Sequence, residues 1–283
     1  LMAEWEDVVD AWQLTTWEAY RDVVRLGRRT RLPEAQRRVL WTIFDSVRRT
    51  LAAQKRLTLA QLYGRVSEAI GGSRRRAFDH IVVDEAQDLS VPQLRWLAAL
   101  ADGPEALFFA GDLGQRIFQQ PFSWKSLGVD VRGRSRTLRV NYRTSHQIRT
   151  QADRLLDPTV TDPDGNLERR DQTISVLNGR PPEVRLFEGE ADESAAVAQW
   201  MRDRQADGVA PHEFGVFVRS KAQLDRARAV VAQAGIPARV LDDQVETQHG
   251  HASIGTMHLA KGLEFRAVVV MACDDEVVPL QER

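Results

Sequence analysis

Two adjacent carboxylates, Asp84 and Glu85, follow directly on the apolar run Ile81-Val82-Val83. A short β-branched run of this kind reads as a buried parallel strand. The carboxyl end of such a strand is where open α/β sheets bind ligands. An acid pair there suits a division of labour in which Asp84 holds Mg²⁺ through water, and Glu85 orients and deprotonates an attacking water. The same residues admit a plainer account, in which Asp84 and Asp88 only cap the helix that opens near Pro92.

A second strand end adds to the first. Residues 106–110 (A-L-F-F-A) form another apolar strand running into Gly111-Asp112-Leu113-Gly114-Gln115. A helix over 91–100 supplies the crossover that two parallel strands require. Four segments then carry a family resemblance: V-D-E-A-Q-D, G-D-L-G-Q-R-I-F, L-R-V-N-Y-R-T-S and G-T-M-H-L-A-K-G-L-E-F. In this order, within 78–270, they resemble motifs of the UvrD/Rep-like superfamily 1 DNA helicases.

The resemblance implies an α/β fold of two RecA-like parallel-sheet domains of the P-loop NTPase type. The parts are a helical accessory segment (1–77), part of a first RecA-like domain (78–134) and a second one, incomplete at its C-terminus (135–283). It also implies ATP and Mg²⁺ as ligands, and single-stranded or partly duplex DNA as partner. Asp84 then assists Mg²⁺, Glu85 is the catalytic base, Gln115 contacts the γ-phosphate, and Asp112 belongs to the same nucleotide edge. Arg143 is an arginine finger, a role suited to a fork-shaped, always charged guanidinium. Tyr142 stacks on the adenine and Glu264 contacts the ribose. Thr256, His258 and Lys261 face DNA or the elements coupled to it. Phe118 stacks on a base, an interaction worth roughly 1–3 kcal/mol; the alternative is that Phe118 and Phe122 pack under their loop, with Trp124 left open. Two departures stand out: the family has Ser and Tyr where this chain has Arg116 and Phe118, and the stretch after Phe118 does not follow the family's Trp-containing pattern.

Composition sets the bounds. With 283 residues, 43% hydrophobic and 28% charged, the chain has the make-up and length of a two-domain globular protein. No apolar run approaches the roughly 18 residues of a membrane span. The single Cys273 excludes a disulfide framework within the chain and fits a reducing cytoplasm. Its setting, A-V-V-V-M-A-C, predicts a packed core thiol. His249 and His251 lie in a polar loop without metal-ligand spacing. The net charge of −1 hides an uneven distribution: 15 basic against 4 acidic residues in 21–76, and 9 against 2 in 113–154. Such patches are the footprint expected for phosphate backbones. Arginines outnumber lysines 35 to 4, however, so part of the excess can equally reflect coding bias.

Along the chain, the first 77 residues read as helical, with core tryptophans, Pro33 at a helix start and Thr58 as a cap. One helix carries Val39, Leu40, Ile43, Phe44 and Val47 on its apolar face. Later strands are expected at 137–140, 184–187, 214–218, 238–241, 254–256 and 267–273, with helices at 145–156, 194–205 and 222–234. Residues 157–182, rich in Pro, Asp, Gly and Asn, read as a long loop. Only 112 residues separate Arg143 from Thr256, so the large domain that longer relatives insert there is expected to be absent or reduced.

The phosphate loop G-x-x-x-x-G-K-[ST] is not found: none of Lys55, Lys125, Lys221 and Lys261 has that context. The expectation is a central piece of a 3′–5′ ATP-dependent helicase, inactive alone for want of the backbone N–H groups that cradle phosphates. The alternatives are a non-catalytic DNA-binding or partner-docking subunit, and a metal nuclease using Asp84, Glu85 and Asp112.

Overall fold

The tryptophan-rich start of the chain is helical, as its apolar periodicity predicts. The computed structural model describes residues 1–25, 32–71, 78–116, 121–155, 157–169, 172–242, 245–275 and 277–278. Contacts divide the chain into two units, Leu1–Pro182 and Glu183–Arg283. No described helix is long and apolar enough to cross a membrane.

In the first unit, α1 (Met2–Glu4) runs into a π-helical turn (Trp5–Asp10), followed by α2 (Trp17–Asp22), α3 (Glu34–Ala53) and α4 (Leu59–Gly71). Val8, Val9, Tyr20 and Phe44 are buried together, with Trp5, Trp17 and Trp41 packed around them. The tryptophans are therefore core, as expected. Of the apolar face read on α3, Phe44 is buried and Leu40 packs beside it, while Val39, Ile43 and Val47 are exposed. The Tyr20 hydroxyl donates to Oε1 of buried Glu4 at 2.8 Å, and Arg25 reaches the same oxygen at 3.2 Å. Thr58 caps α4 as predicted: its Oγ1 accepts from Gln61 N, and Thr58 N donates to Gln61 Oε1, both at 3.1 Å.

The next segment builds the first parallel pair. β1 (Ile81–Val83), α5 (Val91–Leu100) and β2 (Leu107–Phe109) form a crossover unit in which Ile81, Val82 and Val83 pair with Leu107, Phe108 and Phe109. Leu107 and Phe109 pack on a core of Val91, Leu94, Phe122 and Val129. The expectation of a strand buried on both faces is corrected, since Val82 is 73% and Phe108 63% exposed. Side chains alternate along a strand, and among the described residues only one face of this pair is covered.

β3 (Val140–Asn141) and α6 (His146–Asp153) follow. The stretch 157–182 is not a plain loop: β4 (Thr159–Thr161) and β5 (Leu167–Arg169) make an antiparallel hairpin, and β6 (Ile174–Ser175) pairs in parallel with β3. The turn residues that suggested a loop form the hairpin tip. There Asp162 Oδ1 accepts from Asp164 N and Asn166 N at 3.0 and 2.8 Å.

In the second unit, α7 (Glu190–Ala206), β7 (Phe214–Val218), α8 (Leu224–Gln233), β8 (Ala238–Val240), β9 (Ala252–Thr256) and β10 (Ala267–Val270) give a four-stranded sheet. Its order is β10-β7-β9-β8, and every pair is parallel. β7 and β9 are buried along their whole length, as expected for central parallel strands. Both units thus combine helices with parallel strands, an α/β architecture.

Two expectations fail here. Residues 184–187 are not a strand: Val184 and Leu186 are 79% and 95% exposed, and apolar composition without a partner ladder does not make one. Cys273 is exposed rather than packed. β10 ends at Val270, and Ala272, at φ +55°, turns the chain outward before the cysteine is reached. Partial burial and the Glu193 and Asp274 carboxylates push its thiol up, which makes it a poor nucleophile.

Candidate functional site

β1 and β2 end side by side and are laced together beyond their last paired residues. Ala110 N donates to Val83 O at 2.8 Å, and Ala86 N to Ala110 O at 2.9 Å. This brings Asp84-Glu85 and Gly111-Asp112 to one sheet edge. Asp84 and Glu85 are both exposed. Asp84 Oδ1 accepts from the backbone N–H of Glu85 at 2.8 Å. Lacing on both sides of the acid pair holds Glu85 at φ +51°, ψ +38°, in the left-handed region. That conformation is unfavourable by about 1–2 kcal/mol for a residue with a β-carbon, and strain of this kind collects at functional sites.

The plainer account of these acids, as caps of α5, is corrected. The N-cap of α5 is Ser90, whose backbone N–H and hydroxyl both donate to Gln93 Oε1 at 2.8 Å. Between the acids and that helix lies a 3₁₀ turn, Ala86–Asp88.

Within the turn sits a residue that the sequence does not single out. Gln87 is 3% exposed, and both ends of its amide are used. Nε2 donates to Glu85 Oε2, and Oε1 accepts from the backbone N–H of Asp112 at 3.0 Å. Asp112 continues the chain of contacts: Oδ1 accepts from Gly114 N at 2.8 Å and Oδ2 from Gln115 Nε2 at 2.9 Å. Glu85, Asp112 and Gln115 are therefore parts of one hydrogen-bonded edge. Gln87 lies inside the motif V-D-E-A-Q-D, yet nothing in its type or spacing distinguishes an amide bridging two loops from one in water.

The segment after Gln115 leads away from this edge. Burial pushes the Arg116 guanidinium below its ordinary value, with Asp162 and Asp88 opposing the shift. Phe118 lies outside the described residues. Phe122 is buried, and Trp124 meets Phe109 edge-on at 4.8 Å, so these two are packing residues. The β4–β5 hairpin ties the segment down through Asp164, which accepts from Trp124 N at 2.7 Å and Lys125 N at 3.1 Å.

Tyr142 and Arg143 occupy the end of β3. Asn141 Oδ1 accepts from Arg143 N at 2.8 Å and Thr144 N at 3.0 Å, turning the chain and leaving the Tyr142 ring 73% exposed. Asn141 is a second residue whose role the motif alone does not reveal, although an Asx turn after a strand is a readable signal. In the second unit, Thr256 closes β9 and is buried, with its hydroxyl 3.4 Å from His258 Nε2. His258 and Glu264 are exposed, and Lys261 is half-buried. Among the described residues no group of three or more His, Cys, Asp or Glu could hold a metal ion by itself. Asp84 alone still fits Mg²⁺ chemistry, being an exposed, hard oxygen donor at a strand's carboxyl end.

Comparison with known proteins agrees with the motifs. Residues 28–123 match the UvrD/REP helicase N-terminal domain. The chain is 27% identical over 175 residues to DNA helicase II of Salmonella typhimurium, and equally to that of Escherichia coli. DNA helicase II of Haemophilus influenzae is 25% identical over 176 residues. Each match takes in 59% of this chain and 23% of the relative's length. Over these residues the chain is similar to UvrD-like helicases.

Proposed function

We propose that this chain supplies the ATP-hydrolysing edge and the single-strand-tracking elements of a 3′–5′ DNA helicase built on two RecA-like domains. The observation that supports it is the shared edge at β1 and β2, where Asp84, Glu85, Asp112 and Gln115 converge. Phosphoryl transfer to water needs mainly positioning and charge neutralisation. Glu85 takes a proton from the attacking water, and Gln115 registers the γ-phosphate. Arg143 neutralises charge on the transferring group, Tyr142 stacks on adenine and Glu264 holds the ribose. Asp84 would hold Mg²⁺, which would supply further charge neutralisation at the phosphates. Phe118, Thr256, His258 and Lys261 contact DNA, and the basic stretches 21–76 and 113–154 steer its backbone.

The test is ATP turnover, with and without single-stranded DNA, by this chain and by a version extended through the flanking gene sequence, each beside Glu85→Gln. DNA-stimulated turnover in the extended protein, lost in Glu85→Gln, is the expected result. Absence of turnover in both, with DNA binding retained, would favour a non-catalytic DNA-binding subunit. Metal-dependent DNA cleavage without ATP would favour the nuclease reading.

A further inference from the structure

We propose that Gln87 is a positioning residue that ties the orientation of the Glu85 carboxylate to the Asp112–Gln115 loop. The inference rests on the hydrolytic reading of Glu85 and goes beyond it by naming what holds the base in place.

Burial comes first. At 3% exposure Gln87 is among the few buried polar side chains of the described residues. A buried amide is tolerated when both its ends are bonded, and here they are. The donor end meets Glu85 Oε2 and the acceptor end meets Asp112 N. The direction of the amide is set by its partners, since a carboxylate can only accept and a backbone N–H can only donate. A side chain of this length with a donor at one end and an acceptor at the other is what the two loops require. Glutamate at 87 would place two carboxylates against each other, and methionine would leave the Asp112 N–H unanswered.

The second observation is steric and independent of the first. A β-carbon on Gly111 would lie 2.4 Å from Gln87 Oε1 and 3.2 Å from the backbone nitrogens of Ala86 and Gln87. Gly111 thus leaves the space through which the amide crosses from one strand end to the other.

The third is continuity. From Glu85 the contacts pass through the Gln87 amide to Asp112 N, and from the Asp112 carboxylate to Gln115 Nε2 at 2.9 Å. Movement of the Gln115 loop must displace the Asp112 backbone, and with it the amide that holds the Glu85 carboxylate. Glu85 itself is exposed, so this bond is what distinguishes one carboxylate orientation from the others that solvent would allow.

The experiment uses the chain extended through its flanking gene sequence and measures kcat and KM for ATP with and without single-stranded DNA. The variants are Gln87→Met, Gln87→Glu and Glu85→Gln, each checked by thermal melting. A misplaced catalytic group slows turnover by about 10²-fold, so Gln87→Met should lose that much DNA-stimulated kcat. Its KM for ATP should stay within about twofold, the signature of an interaction realised in the transition state. A merely structural role would instead lower kcat in step with the folded fraction. If Gln87→Met fails to fold, Gln87→Glu decides the matter, because it retains an acceptor for Asp112 N–H and removes the donor to Glu85. Wild-type kcat and DNA stimulation in either folded variant would overturn the proposal. Glu85→Gln separates the two levels. If it is inactive while the Gln87 variants are normal, only the positioning role fails; if it turns over normally, the hydrolytic reading fails with it.

Discussion

Gly111 and Gln87 approach so closely that a β-carbon on the glycine would lie 2.4 Å from the glutamine Oε1. The position therefore disfavours alanine for a reason of space, since the φ of Gly111 is not among the positive ones. Gly111→Ala should force the amide aside without removing any polar group. We expect it to reproduce the Gln87→Met kinetics, with a fall in DNA-stimulated kcat at nearly unchanged KM. Wild-type kcat in this variant would show that the amide does not need its present path.

Exchanging the two partners gives a readout independent of turnover. Gln87→Glu alone sets one carboxylate against another. The double variant Glu85→Gln/Gln87→Glu restores a donor facing an acceptor while keeping an acceptor for Asp112 N–H. A net hydrogen bond contributes about 1 kcal/mol, so the double variant should melt above Gln87→Glu yet hydrolyse no ATP. Equal melting temperatures would mean that the contact contributes nothing to the fold.

Glu85→Gly separates stability from function. Relief of the left-handed conformation recovers about 1–2 kcal/mol, against about 1 kcal/mol for the lost hydrogen bond and about 0.5–1 kcal/mol for glycine entropy. Thermal stability should therefore be unchanged within about 1 kcal/mol, while turnover disappears. A large loss of stability would show that the Glu85 side chain, not its backbone, anchors the turn.

Arg143→Ala removes an exposed side chain just past β3 and should change stability by no more than about 0.5 kcal/mol. In the role proposed, an arginine finger is worth roughly 10³–10⁵ in kcat, so turnover in the extended protein should fall by about 10³-fold or more. Arg143→Lys should not restore it, because an ammonium lacks the planar fork. Unchanged turnover in Arg143→Ala would exclude the finger.

Burial first, and then the bond to Glu4, push the Tyr20 phenol up to about 12 from its ordinary 10.0. An unfolded chain ionises this group near pH 10 while the folded one keeps it neutral. Its contribution to stability is thus complete below pH 10 and is lost as pH rises towards 12. Tyrosinate absorbance should show an ionisation near pH 12 that Tyr20→Phe removes. The same variant should weaken the fall in stability between pH 10 and 12.

The legible parts are those set by local signals. Strand β1, helix α5 and the central strand β7 follow from short apolar runs and the helical period, β9 is anticipated only over 254–256, and Thr58 announces its own cap. What escapes depends on partners distant in sequence. Residues 184–187 have strand composition and no ladder, and 159–169 have turn composition and form a hairpin that clamps Trp124 and Lys125 through Asp164. Asp84, Glu85 and Gln115 can be selected by type and motif. Gln87 cannot, because its meaning lies in bonds to residues on two different loops.

The uncovered face of β1 and β2 has a practical consequence. Val82 and Phe108, paired across the strands, present adjoining apolar surface to water, and the pair has no third strand among the described residues. Exposed apolar strands with open edges invite sticking. The isolated chain should brighten a hydrophobic dye and elute late from an apolar column while still melting cooperatively. Val82→Thr/Phe108→Thr should weaken both behaviours. For the isolated chain, dye binding by itself would therefore report this uncovered face and not a molten core.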